Sequence, residues 1–205
     1  MKEAQEHIIE VAYKLFFKYG ISSVTMDHIA KECGMSKRTV YEYFKDKNTL
    51  ISSIIIYGHQ REAQKFSEIL KETNNALISL LKLYERNRDF MINVNKTFFT
   101  DLKRLYPKIA SQFKDIKKSH LCDLSNVLEI GQEQGLFRKE LNTTIVATLL
   151  FQLMNIIGKL EDELGGKYTI ADFHAVSIDC FLRGTLTEKG TEIYLQYKKE
   201  NKNNF

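Results

Sequence analysis

Between Ser36 and Lys47 the sequence SKRTVYEYFKDK carries four basic side chains, Lys37, Arg38, Lys45 and Lys47, against two acidic ones, Glu42 and Asp46, with Tyr41 and Tyr43 interleaved. Ammonium and guanidinium groups neutralise phosphates, and a guanidinium also pairs bidentately with the acceptor edge of guanine, so this mixture suits a polyanion read by sequence. The spacing sorts the side chains. Val40 and Phe44 stand four residues apart; with both facing inward on a helix, Lys37, Arg38 and Tyr41 are left on the exposed side of its N-terminal half. Lys47 falls in the first turn after Asp46. The helix dipole disfavours an ammonium there, yet that ammonium and the free backbone N–H groups can together meet a phosphate. On this anatomy alone the same charges also fit a solvated surface.

The equipment of a catalyst is missing from the sequence: there is no GxSxG, no P-loop pattern, no GxGxxG and no HExxH. The five histidines, at positions 7, 28, 59, 120 and 174, are scattered, and His120 with Cys122 at i and i+2 lies on different sides of a helix. The three cysteines, Cys33, Cys122 and Cys180, are an odd number at wide spacings with no CxxC pair, which suggests neither a disulfide framework nor a zinc site. Cys33, on an inward-leaning stretch, is expected to be buried. We therefore expect no catalytic residue, no metal and no cofactor.

The elements that must position the basic cluster are legible as helices. Ile8, Ile9, Ala12, Leu15, Phe16 and Tyr19 recur at helical spacing and stop at Gly20. Thr25 is placed to cap a helix to about Cys33, Gly34 supplies a turn, Ser36 caps a second helix to about Phe44, and Asp46 caps a third. Helix, glycine turn, helix is the anatomy of a helix-turn-helix, whose second helix enters a major groove in DNA-binding proteins. From Asp46 the pattern runs on through Leu50, Ile54, Tyr57, Arg61 and Phe66 as one long helix. After Asn74 and Asn75 it restarts at Ala76, Leu77, Leu80, Leu81 and Tyr84. A further helix is predicted from about Asp89 to Leu105, with Pro107 in the first turn of its successor, which ends near Gly131 to Gly135. Two strong segments close the chain, near 143–164 and 170–186, each with apolar residues on two sides, and the polar tail is expected to fray.

Composition agrees with helices. Of 205 residues 43% are hydrophobic and 27% charged, and one proline and ten glycines leave few turn makers for a hairpin-rich protein. The net charge of +4 is spread out: residues 1–50 hold eight basic against seven acidic side chains, so binding by bulk charge is not indicated and the footprint is local. The N-terminus lacks the apolar stretch of a signal peptide. The most apolar run, 147–158, is interrupted by Gln152 and Asn155, so we expect no membrane segment and a cytoplasmic protein.

The stretch VTMDHIAKECGMSKRTVYEYFKDKNTLI resembles the DNA-binding signature of the tetracycline-repressor (TetR) family, through Thr25, Ile29, Ala30, Gly34, Ser36, Tyr41, Phe44, Lys47 and Leu50. Upstream, the spacing of Ile9, Ala12, Phe16 and Gly20 is similar to that family's first helix. Asn48 and Thr49 depart from it, since many members are acidic there. The resemblance covers about the first 50 residues. It implies an all-α fold of about nine helices, with a three-helix helix-turn-helix domain at 1–48 joined to a larger helical ligand-binding and dimerisation domain at 49–205. It further implies repression relieved by a small molecule. Carried residue by residue, it implies phosphate contacts from Thr25, Tyr41 and Lys47, with Lys37, Arg38, Thr39 and Tyr43 at or near base edges beside the Ser36 cap.

A recognition helix this short contacts only a few base pairs, so useful specificity calls for a two-fold dimer on a palindromic operator, and the two-faced helices near 143–164 and 170–186 suit its interface. Phe90, Met91, Asn95, Phe98, Phe99, Gln152 and Asn155 mix apolar surface with sparse polar groups, which suits a small hydrophobic or amphipathic ligand and equally suits core and surface. Arg88 and His174 are candidates to meet an acidic group on it, or are an exposed charge and a capped helix residue. The competing expectation keeps the helix-turn-helix but makes the large domain a protein-interaction module with no small-molecule inducer.

Overall fold

The computed structural model describes residues 2–111, 113–154 and 167–201. Among these the chain is all-α: α1 (Lys2–Tyr19), α2 (Met26–Glu32), α3 (Lys37–Tyr43), α4 (Lys47–Glu72), α5 (Ala76–Asn93), α6 (Thr97–Leu105), α7 (Pro107–Ala110), α8 (Phe113–Glu133), α9 (Thr143–Met154), α10 (Ile170–Thr185) and α11 (Glu188–Glu200). Extended pairing among them is limited to one isolated bridge between Phe137 and Leu186. No described helix is long and apolar enough to cross a membrane.

By contact the chain divides into two compact units, one of residues 1–65 with 93–116 and one of residues 66–92 with 117–205. These lines differ from the functional division at 48/49 drawn from the sequence. The first unit is built where the helical periodicity put its core. Ile8, Ala12, Leu15 and Phe16 of α1 are buried, as are Ile29 and Ala30 of α2, Val40 of α3 with Phe44 beyond it, and Leu50, Ile51, Ile54 and Ile55 of α4. Residues 93–116 add Val94, Phe98, Leu102 and Ile109 to the buried set, and the Phe98 ring stacks on Phe17 at 4.2 Å.

The single helix expected over 89–105 is two helices. The chain breaks after Asn93 because Asn95 satisfies its hydrogen bonds elsewhere: its backbone N–H donates to the Phe17 carbonyl at 2.7 Å, and its side-chain oxygen accepts from the Thr97 backbone at 2.9 Å. Apolar periodicity continues across the break and hides it. Pro107 opens α7 as expected, but α7 ends at Ala110 and a separate helix, α8, reaches the end expected of it.

The second unit packs α5, α8, α9, α10 and α11 around a core that includes Leu77, Leu80, Leu81, Tyr84, Val127, Leu128, Phe137, Ala147, Leu150, Ile178, Leu182 and Tyr194. The turn after α8 is knitted to the α10–α11 junction. Arg138 N–H donates to the Thr185 carbonyl and Thr187 N–H to the Leu136 carbonyl, each at 3.0 Å. Gly190 lies so close that a Cβ there would overlap the Leu136 carbonyl oxygen. Of the two segments considered for a dimer interface, residues 155–164 lie outside the described residues; Ile145 and Leu149 on α9 and Val176 on α10 are more than half exposed. Cys33 is half-buried rather than buried, and Cys122 and Cys180 are exposed; burial, then the neighbouring Glu32, pushes the Cys33 thiol pKa up.

Candidate nucleic-acid interface

Each piece of the basic cluster is held by a local device. Thr25 caps α2 by accepting from the His28 backbone at 3.1 Å, and Ser36 caps α3 by accepting from the Thr39 backbone at 3.1 Å. Asp46 precedes α4 and accepts from the Thr49 backbone at 2.7 Å and hydroxyl at 2.8 Å; these bonds hold its carboxyl below the usual carboxylate range. Between α2 and α3, Gly34 has φ +66°, and an added Cβ there would meet nothing. The glycine is therefore required by backbone conformation and not by space. Two bonds close that turn, Met35 N–H to the Ala30 carbonyl at 2.9 Å and Gly34 N–H to the Lys31 carbonyl at 3.1 Å, the double closure of a Schellman motif.

With Val40 and Phe44 buried, α3 presents the face expected of it. Arg38 has 90% of its side chain exposed, and its Nε pairs with Glu42, one turn on, at 3.2 Å. Lys37 is tied across the turn to Asp27 of α2, with Nζ 2.7 Å from one carboxylate oxygen and 3.0 Å from the other. Asp27 raises its pKa, and the ammonium lies 6.0 Å from the Tyr41 ring centre. Thr25, Ser36 and Tyr41 are exposed; Thr39 and Tyr43 are partly so. One unit therefore brings together all eight residues expected to meet DNA.

Lys47 is the exception in orientation. Its ammonium donates to the Ile21 carbonyl at 2.6 Å and lies 5.5 Å from the Phe16 ring centre. Half-burial pushes its pKa down, opposed by the charge of Asp101. Asp101, on α6, is buried and accepts from the Ser22 backbone at 2.8 Å. Burial alone would raise the Asp101 pKa, but the bonds from Ser22 and the charges of Arg104 and Lys47 hold it low. The sequence reading missed both acids. Asp27 lies ten residues from Lys37 and Asp101 lies 79 from Ser22, and no periodicity or cap signal spans those separations.

The residues considered for a ligand separate. Asn95, Phe98 and Phe99 belong to the first unit, whereas Phe90, Met91 and Gln152 belong to the second. Met91 is buried, Phe90 partly buried and Gln152 exposed; Asn155 lies outside the described residues.

Residues 8–54 match the sequence model of the bacterial regulatory proteins of the tetR family. An HTH-type transcriptional regulator of Staphylococcus aureus strain USA300 is 32% identical over 91 residues, which take in 44% of this chain and 47% of that protein. The match thus spans about half the length of that curated relative. Two solved structures share the fold. A tetR-family regulator from Agrobacterium tumefaciens superposes with a TM-score of 0.71 at 16% identity, covering 91% of this chain and 99% of that one. A transcriptional regulator from Saccharomonospora viridis in complex with choline superposes with a TM-score of 0.70 at 20% identity, covering 92% and 100%. Over residues 8–54 the chain is thus similar to the bacterial regulatory proteins of the tetR family.

Proposed function

We propose that this protein is a sequence-specific DNA-binding transcriptional regulator of the cytoplasm that acts as a homodimer, and that it is a repressor released from its operator by a small molecule. The observation that carries the DNA-binding reading is the presentation of α3. Its buried side anchors it, its caps and the Gly34 turn fix it, and its open side offers Lys37, Arg38 and Tyr41 at the helix N-terminal half. In this reading Arg38 and Lys37, with Thr39 and Tyr43 beside them, face base edges, while Thr25, Tyr41 and Lys47 meet phosphates. Lys47 exchanges the Ile21 carbonyl for a phosphate oxygen when DNA arrives.

The exposed apolar side chains of α9 and α10, Ile145, Leu149 and Val176, support a self-complementary interface between two copies of the chain. Release by a small molecule is supported by the similarity to a regulator that binds choline. Ligand and DNA would then weaken each other's binding by the same factor.

The test is selection of the full-length protein on a random duplex pool, then a salt titration on the winner. An enriched inverted repeat, with log affinity falling against log salt by about 0.9 per phosphate neutralised, is the expected outcome. A folded sample that enriches nothing, with and without cell extract, would sink the DNA-binding reading. A melting-temperature screen on the same sample separates an inducer-responsive regulator from one whose second unit binds a protein instead.

A further inference from the structure

The second unit holds a polar cluster inside its core that its own hydrogen bonds leave incomplete. Tyr84 on α5 is buried, and its hydroxyl lies 2.6 Å from the His174 carbonyl oxygen and 3.1 Å from His174 Nδ1 on α10. A phenol has one proton. The short bond to the carbonyl takes it, so Nδ1 must carry the hydrogen that it shares with the phenol oxygen. That fixes the tautomer of the neutral ring and leaves Nε2 as a bare acceptor. His174 is 0% exposed, and its Nε2 has no hydrogen-bond partner among the described residues. Asn87, one turn beyond Tyr84, likewise keeps a buried Oδ1 without a partner. Arg88, four residues from Tyr84, has a side chain only 13% exposed that donates to the exposed Asp89 carboxylate at 2.8 Å, and its charge acts on both Tyr84 and His174. Met91, the next position on that face of α5, is buried. A buried acceptor without a partner is costly, and each of these two needs a donor to account for it.

We propose that His174 Nε2 and Asn87 Oδ1 form the polar end of a small-molecule site that takes the hydroxyl or neutral N–H of an otherwise apolar ligand, with Arg88 excluding ligands whose polar end is cationic. This rests on the reading of the second unit as a ligand sensor and names the ligand class. A carboxylate brings only acceptors, so it would meet both orphans lone pair to lone pair, and Arg88, already paired with Asp89 at 2.8 Å, would have to leave that acid to offset the clash. An ammonium or trimethylammonium group would have to enter the field of the Arg88 guanidinium. A hydroxyl gives its proton to Nε2 at no cost in charge. The site therefore differs in selectivity from that of a choline binder.

The test uses full-length protein at pH 7.5 and primary alcohols from propanol to decanol, with the matching carboxylates and alkyltrimethylammonium ions as controls. The readouts are melting temperature and the imidazole 15N resonances of His174. We expect the free ring to show protonated Nδ1 and bare Nε2. Alcohols should shift Nε2 and raise the melting temperature while the two charged series do neither. His174→Phe and Asn87→Leu should each weaken alcohol binding at least tenfold. A proton on Nε2 in the free protein, equal response to all three head groups, or an Nε2 resonance that no probe moves because a buried water already occupies it would each overturn the proposal, and the wild-type spectrum decides even if His174→Phe does not fold. Operator binding is followed in parallel. Alcohols that move Nε2 and leave DNA bound support the site and defeat the sensor reading. DNA release by a compound that leaves Nε2 unmoved supports the sensor reading and defeats the site.

Discussion

Arg38 and Lys47 have opposite postures, and that contrast predicts opposite phenotypes. Arg38 is fully presented and held by an exposed one-turn pair with Glu42, a contact worth little that DNA can displace. Arg38→Ala should relax base preference at one position of each half-site, by about 1–3 kcal/mol. Lys47→Ala should weaken binding to all sequences alike and lower the salt slope by about 0.9. Parallel binding curves on operator and scrambled duplexes check the division, and equal losses on every sequence from both changes would refute it. His174 makes a prediction about stability. Burial first, then the charge of Arg88, lowers its pKa below the ordinary 6.5. Above pH 6.5 the ring is neutral folded or unfolded and contributes nothing to the pH dependence. Below it the unfolded ring takes a proton that the folded ring resists, so stability falls as pH falls through that window. Urea melts between pH 7.5 and 5 should show this decline, and His174→Gln should flatten it.

At the scale of elements, the two glycines discussed above fail for different reasons. Gly34→Ala has room for its methyl group but must hold φ +66°, at a cost of about 1–2 kcal/mol. Gly190→Ala has an ordinary backbone but no room, and must push the Leu136 carbonyl aside, at about 1–3 kcal/mol. Ser36→Ala should cost about 0.5–2 kcal/mol and Ser36→Gly only a few tenths. Urea midpoints of the four proteins rank these effects, and a Gly34→Ala variant as stable as wild type would contradict the turn assignment. What the sequence disclosed follows the same line. The caps at Thr25, Ser36 and Asp46 and the Gly34 turn were legible because each is a bond between residues a few positions apart. The bonds of Asp27 to Lys37, Asp101 to Ser22 and Asn95 to Phe17 were hidden, because a helical period says that a side chain turns inward and does not say what it meets. For the same reason Phe98 read equally as pocket wall or core, and its spacing did not name the Phe17 ring on which it packs.

For the whole molecule, the exposed apolar positions on α9 and α10 carry the prediction about assembly. Leu149→Lys combined with Val176→Glu should leave the fold intact and convert a dimer to monomer by sedimentation at micromolar concentration, with loss of affinity for a two-half-site operator and little change for a single half-site. A wild-type monomer at that concentration would remove the basis of the two-fold operator. The closed turn between α2 and α3 bears on how fast and with what heat this protein meets its target. Because Met35, Gly34, Thr39 and Thr49 already have partners for their backbone N–H groups, the turn and the two helix starts beside it should not have to order themselves on contact. Encounter should then be governed by diffusion and long-range attraction, with association rates that rise steeply at low ionic strength. The heat-capacity change should be that of the area covered, without the extra decrement that marks folding coupled to binding.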